Sequence, residues 1–196
     1  MDHYSTVFFN GTINFKEKWA GPPSDARDKL WQSMIYADVW IPITDEDVKN
    51  MGKDPKSVTR VPPQYRNDYG DGALVVLDFA HQMHCLDLVR KYTYYDYYME
   101  KQDEEAFSNP PHVLRVHIDH CIDMLRQFVM CNADPGLVTY FWVEGRPTPY
   151  PDFSMQKQCK DPHAILQWAQ EKRIPGYKPV DPSPGEVILP WDPKIL

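Results

Sequence analysis

Residues 81–90 read HQMHCLDLVR, and residues 117–126 read HIDHCIDMLR. Five of the ten positions are identical, in the frame H-x-x-H-C-x-D-x-x-R, and most of the others exchange one apolar residue for another. On a helix each residue turns by about 100°, so positions i, i+3 and i+4 share a face. The first copy then presents His81, His84 and Cys85 together, and the second His117, His120 and Cys121. The duplication predicts a central pair of long helices that carry the two motifs.

The rest of the chain is read outward from that pair. It has 196 residues, enough for a single domain, and a formal net charge of −7, which leaves no basic stripe for nucleic acid. No apolar run is long enough to span a bilayer, and MDHYSTVFFNGT lacks the basic start and long apolar stretch of a signal peptide. Taken literally, this reads as a soluble, cytosolic chain. Asn10-Gly11-Thr12 is a glycosylation sequon, but Asn-Gly between TVFF and TINF is also a two-residue hairpin signal, and the hairpin over about residues 5–16 is the preferred reading.

Ser24 is placed to cap a helix whose apolar face is Leu30, Trp31 and Met34. Thr44 with Asp47 caps a short second helix that ends near Gly52. Residues 53–72 read as loop, and GALVVLDF as a strand leading into the first motif. The first motif helix is expected from His81 to about Glu100. The second opens at Asn109-Pro110-Pro111, with Asn109 as cap, and stops at Asp134-Pro135-Gly136. LVTYFWV is a further strand, Asp161-Pro162 starts a last helix, and an extended, proline-rich tail begins at Ile174. The fold class is mainly α with small β additions (α+β).

Two imidazoles and a thiol on each of two helices suit a metal. Imidazole binds Zn, Cu, Fe and Ni, and thiolate favours Cu(I) or Zn. His81, His84, His117 and His120 are the candidate ligands and catalytic residues. A lone HxxH is most often a surface or core pair, but a second copy on a second amphipathic helix is harder to read that way. Cys85 and Cys121 are either ligands or disulfide partners. Asp87 and Asp123 could each orient a ligand ring, or pair with Arg90 and Arg126 at i, i+3. Cys131 and Cys159 stand outside the repeat and suit a structural disulfide, with an apolar reduced cysteine as the alternative. Tyr92, Tyr94, Tyr140 and Trp142 could wall a substrate pocket. His112 and His163 fall off the motif faces. No Gly-rich phosphate loop and no G-x-S-x-G elbow is present.

HQMHCLDLVR, HIDHCIDMLRQFVMCNAD and QCKDPHAILQWAQ, with GPPSDARDKLW near the start, resemble the UstYa-like family of fungal tailoring proteins, over about residues 20–172. The resemblance implies oxidative modification of a peptide or another secondary metabolite, by cyclisation, hydroxylation, desaturation or halogenation. It implies a metal centre at the paired motifs, copper foremost, as one or two ions, with O2 as co-substrate. Members commonly carry an N-terminal membrane helix and act in the secretory pathway, and no such helix is visible in this sequence. Two readings from other classes stay open. One is a zinc- or disulfide-stabilised scaffold; the other is a cyclase or isomerase using histidine acid–base chemistry. A homodimer is compatible with every one of these readings.

Overall fold

The computed structural model describes residues 4–13, 18–35, 39–101, 105–178, 181–182 and 185–188. The chain forms two compact units. The first comprises residues 1–35 and 79–165, the second residues 36–78 and 166–196. In chain order the elements are β1 (Tyr4–Phe9), α1 (Asp25–Gln32), β2 (Ile41–Ile43), α2 (Asp45–Asn50), α3 (Arg66–Tyr69), β3 (Ala73–Val75), α4 (Asp78–Tyr92), α5 (Tyr95–Lys101), α6 (Glu105–Ser108), α7 (Pro111–Cys131), β4 (Thr139–Phe141), β5 (Tyr150–Asp152), β6 (Met155–Lys160) and α8 (Pro162–Lys172). The helices dominate and the strands form small antiparallel pairs, as the sequence predicts.

The first unit is built on α4 and α7. Cys85 and Leu88 of α4 share one fully buried cluster with Leu114, Ile118 and Cys121 of α7, completed by Tyr98 and Phe107. The motif helix expected to reach Glu100 instead breaks after Tyr92, where the Thr93 hydroxyl donates to the Arg90 carbonyl at 2.6 Å, and resumes as α5. A hydroxyl bonded back onto the helix competes with the regular ladder. The break turns Tyr98 into the core. At the start of α7 the cap position is held by Pro110, with no side-chain cap, so Asn109 is not the cap residue.

The expected N-terminal hairpin is corrected. β1 pairs with β6, from the far end of the unit, in the register Tyr4↔Lys160 to Phe9↔Met155. Of the expected return strand, Asn14 and Phe15 lie outside the described residues. Asn10-Gly11 instead lets the chain pass close to Phe153, where a Cβ on Gly11 would collide with the backbone. The Gly11 amide donates to Ser154 Oγ at 3.2 Å.

α1 is capped by Ser24, whose hydroxyl accepts from the Arg27 amide at 3.3 Å, and it buries Trp31. It also buries Asp28, which the sequence reading did not single out. Asp28 Oδ1 accepts from Arg90 Nη2 and from the Tyr98 hydroxyl, each at 2.7 Å, while Lys101 Nζ lies 3.4 Å from Oδ2. Arg90 also donates from Nε to Asp87 at 2.7 Å and lies over the Trp31 ring at 5.5 Å. This network ties α1 and α5 to the helix that carries the first motif.

In the second unit, β2 and β3 pair as Ile41↔Val75 and Ile43↔Ala73. Of GALVVLDF only Ala73–Val75 is strand, and α4 already starts at Asp78. α2 has the expected capping box, with Thr44 and Asp47 each accepting from the other's amide. Residues 53–72 hold two 3-10 turns, at Pro55–Ser57 and Pro63–Tyr65, and α3 in addition to loop. Ile174 and Tyr177, at the head of the proline-rich tail, are core residues here, packed with Val61 and Leu74. The last helix, α8, is capped as expected, with Asp161 accepting from the His163 amide at 2.9 Å.

Burial alone would raise the Asp28 carboxyl, but the hydrogen bonds from Tyr98 and Arg90 outweigh it and hold the acid below its usual range. Removing one partner of a buried ion pair costs about 3–5 kcal/mol, so Asp28→Asn should lose that much at pH 7 by urea denaturation followed by circular dichroism. A group with a depressed native pKa stabilises above its unfolded value of about 3.9 and loses that stabilisation as the pH falls. The difference between wild type and variant should therefore shrink below about pH 4. A variant as stable as wild type at pH 7 would show that the network does not hold the unit together.

Candidate metal centre

Both motifs fold as helix, so the i, i+3, i+4 face predicted for each is present on α4 and on α7. The four imidazoles gather in one place. Ring centroids of His81 and His120 are 5.6 Å apart, and those of His84 and His117 are also 5.6 Å apart. Within each helix the separation is 6.4 Å, for His81 and His84 and again for His117 and His120. The outer histidine of one motif thus faces the inner histidine of the other. That pairing requires the two helices to run in opposite directions, related by a pseudo-twofold axis through the middle of the four rings.

The cysteines stand behind the histidines. Cys85 and Cys121 are fully buried in the same cluster, while His81, His84 and His117 are half-buried and His120 is exposed. Cys85 Sγ lies 3.7 Å from His81 Nε2. Burial, followed by the contact with Cys85, pushes the Cys121 thiol up, so it stays protonated at neutral pH. All four cysteines are free thiols. Cys131 is exposed at the end of α7, Cys159 is half-buried on β6, and their sulfurs are not bonded to each other here.

Burial is also the largest cause holding His84 and His117 below the usual histidine range. Neighbouring imidazoles add to it: His117 and His81 for His84, and His120 and His81 for His117. Neutral rings keep a lone pair for a Lewis acid. The donor set fits a metal ion on geometry as well. One ligand atom each from His81, Cys85 and His120 lies within 4.8 Å of the others. Bonds of about 2.0–2.3 Å around a tetrahedral ion place nitrogen and sulfur donors about 3.5 Å apart, a closure that side-chain rotation can supply.

The shared aspartates are engaged by neighbouring side chains of their own helices rather than hydrogen-bonded to a histidine ring. Asp87 accepts from Arg90 at 2.7 Å and pairs with Lys91 at 3.2 Å. Asp123 accepts from Arg126 and from Gln127, each at 2.7 Å. The i, i+3 ion pair is the better reading of both, and Asp87 reaches His84 through its charge alone. The two ion pairs differ in burial: that of Asp87 is in the core, and that of Asp123 lies on the surface. The aromatic candidates also separate. Tyr92 packs against the core cluster, while Tyr94, Tyr140 and Trp142 are exposed. The sequence reading missed Asp28 and Tyr98, which anchor α4. The signal was an acid three residues before Trp31, on the buried side of α1.

A family model described as mycotoxin biosynthesis protein UstYa matches residues 2–172. The UstYa family oxidase aprY of Aspergillus flavus is 35% identical over 176 residues, covering 88% of this chain and 51% of that protein. The UstYa family oxidase phomYc of Diaporthe leptostromiformis is 38% identical over 109 residues, covering 55% of this chain and 42% of the relative. A protein named transacylase cctO, of Talaromyces islandicus, is 30% identical over 135 residues, covering 63% of this chain and 42% of its own length. The chain thus spans about half the length of the curated relatives it matches. No solved structure matches. Among the described residues no helix is long and apolar enough to cross a membrane. With the duplicated motif folded as one four-histidine site and the family model covering the chain to the end of α8, the chain belongs to the UstYa family of mycotoxin-biosynthesis proteins.

Proposed function

We propose that this chain is a metal-dependent tailoring oxidase that acts on a C–H bond of a peptide or other secondary metabolite. The supporting observation is the pair of cross-helix histidine contacts, each at 5.6 Å, with burial holding His84 and His117 below the usual histidine range. His81, His84, His117 and His120 would hold copper, as one ion or two, and Cys85 lies in reach of a site shared by His81 and His120. Bound copper would supply one-electron oxidation chemistry, with O2 as the co-substrate. The residues of the chain do the rest. The half-buried rings limit water at the centre, and the exposed His120 leaves one side open to substrate. The Asp28 network fixes the helix from which His81 and His84 project. Relatives named oxidase favour this reading.

A second reading rests on the Cys85–His81 contact at 3.7 Å and on the relative named transacylase. A thiol beside an imidazole is the start of a nucleophilic pair. Cys85, however, is fully buried, and an acyl donor has no path to its sulfur without opening of the helix pair. A histidine acid–base cyclase has no comparable observation of its own.

Two measurements test the proposal. Copper titration of the metal-free chain should give one or two equivalents, with substrate-dependent O2 uptake. His81→Ala and His120→Ala should each weaken binding by more than the about 10–100-fold that loss of a supporting partner costs, and Asp123→Asn should change it little. Full activity in the metal-free chain would overturn the oxidase. Alkylation followed by mass spectrometry should label Cys131 rapidly, and Cys85 and Cys121 only on unfolding. Rapid, active-site-directed loss of Cys85 to an acyl-mimicking reagent would favour acyl transfer instead.

A further inference from the structure

In the first unit, every residue from Arg126 to Pro149 is exposed, although the stretch holds the last turns of α7 and all of β4. It is not polar. Val129, Met130, Leu137, Tyr140, Phe141 and Trp142 all project from it, with Leu137 86% and Trp142 75% exposed. At such exposures these six side chains present roughly 800 Å² of surface. Summed over both faces of β4, since alternate residues of a strand point to opposite sides, this is about the 800 Å² that a standard interface takes from each partner.

The strands add a second argument. β4 and β5 pair only through Thr139↔Asp152, Tyr140↔Pro151 and Phe141↔Tyr150. A two-stranded ribbon is marginal in water unless something packs on it or more strands join. Among the described residues no strand pairs with the edge of β4 away from β5, beside its exposed aromatic residues. Antiparallel pairing of that edge with its own copy is what a twofold axis produces. It would yield a four-stranded sheet with β4 and its copy at the centre.

Charge points to the same partner. Within the stretch Arg126 and Arg146 are offset by Asp134 and Glu144. Lys157, from β6, also reaches Asp134. An anionic lipid surface calls for a basic rim, which is absent from this stretch. A balanced rim is self-complementary across a twofold axis. We propose that the segment from Arg126 to Pro149 is a dimer interface between two copies of this chain, joined through β4. The inference does not rest on the oxidase reading.

Sedimentation velocity on the chain from about 1 to 100 µM should show the mass of two chains at the upper end. Leu137→Glu/Trp142→Glu should remain monomeric throughout with an unchanged circular dichroism spectrum, and Val116→Glu, exposed on α7 before this stretch, should still dimerise. If the double variant fails to fold, hydrogen–deuterium exchange on the unmodified chain decides. The amides of residues 137–143 should gain protection as concentration rises. A monomer at every concentration, including one that instead binds neutral phosphatidylcholine vesicles, would overturn the proposal. So would a dimer whose concentration-dependent protection falls elsewhere.

Discussion

The arrangement depends on two small side chains. Cys85 and Cys121 occupy the same position in their motifs, both are fully buried, and they meet where α4 and α7 pack. A free cysteine behaves in a core as a small hydrophobe, and two of them let the helix faces approach closely. Once the thiols are inside, helical spacing leaves the histidines at i−4 and i−1 little choice. They must sit at the rim of that contact, with His81, His84 and His117 half-buried and His120 exposed. The repeat thus specifies a helix crossing first and the gathering of four histidines as its consequence.

The two halves are not equivalent, and the difference matches a division of labour. The first copy is anchored from below. Asp87 and Lys91 are buried beside Arg90, which reaches Asp28 and through it Tyr98. The second copy keeps the same aspartate and arginine, but they face solvent, and His120 is exposed. One sequence pattern therefore does two jobs. On α4 it fixes the helix, and on α7 it leaves the site accessible.

Much of this was legible because it is local. Caps at Ser24, Thr44 and Asp161 depend on a few neighbouring residues, and the sequence showed them. The four histidines were legible because the repeat named both partners of a long-range contact. Where a local signal met a distant competitor, the distant one won. Asn10-Gly11 looks like a hairpin turn, yet Tyr4–Phe9 pairs with Met155–Lys160. Ile41–Ile43, with a proline at its centre, gave no strand signal, and its pairing with β3 supplies one. Asp28 was easily passed over for a related reason. In a helix so rich in charge an acid reads as solvated, and only Arg90 and Tyr98, far along the chain, make its burial tolerable. The roles of Asp87 and Asp123 were left open by the sequence, because one spacing serves a ligand ring and an arginine equally well.

The central claim is that the site belongs to both helices rather than to either motif alone. Pulsed electron paramagnetic resonance on the copper-loaded chain, with histidine labelled in 15N, tests it directly by counting bound imidazoles. The account predicts imidazole couplings that weaken both in His81→Ala, on α4, and in His120→Ala, on α7. A spectrum unchanged by replacing the histidines of one helix would mean that a single HxxH holds the metal, and would contradict it.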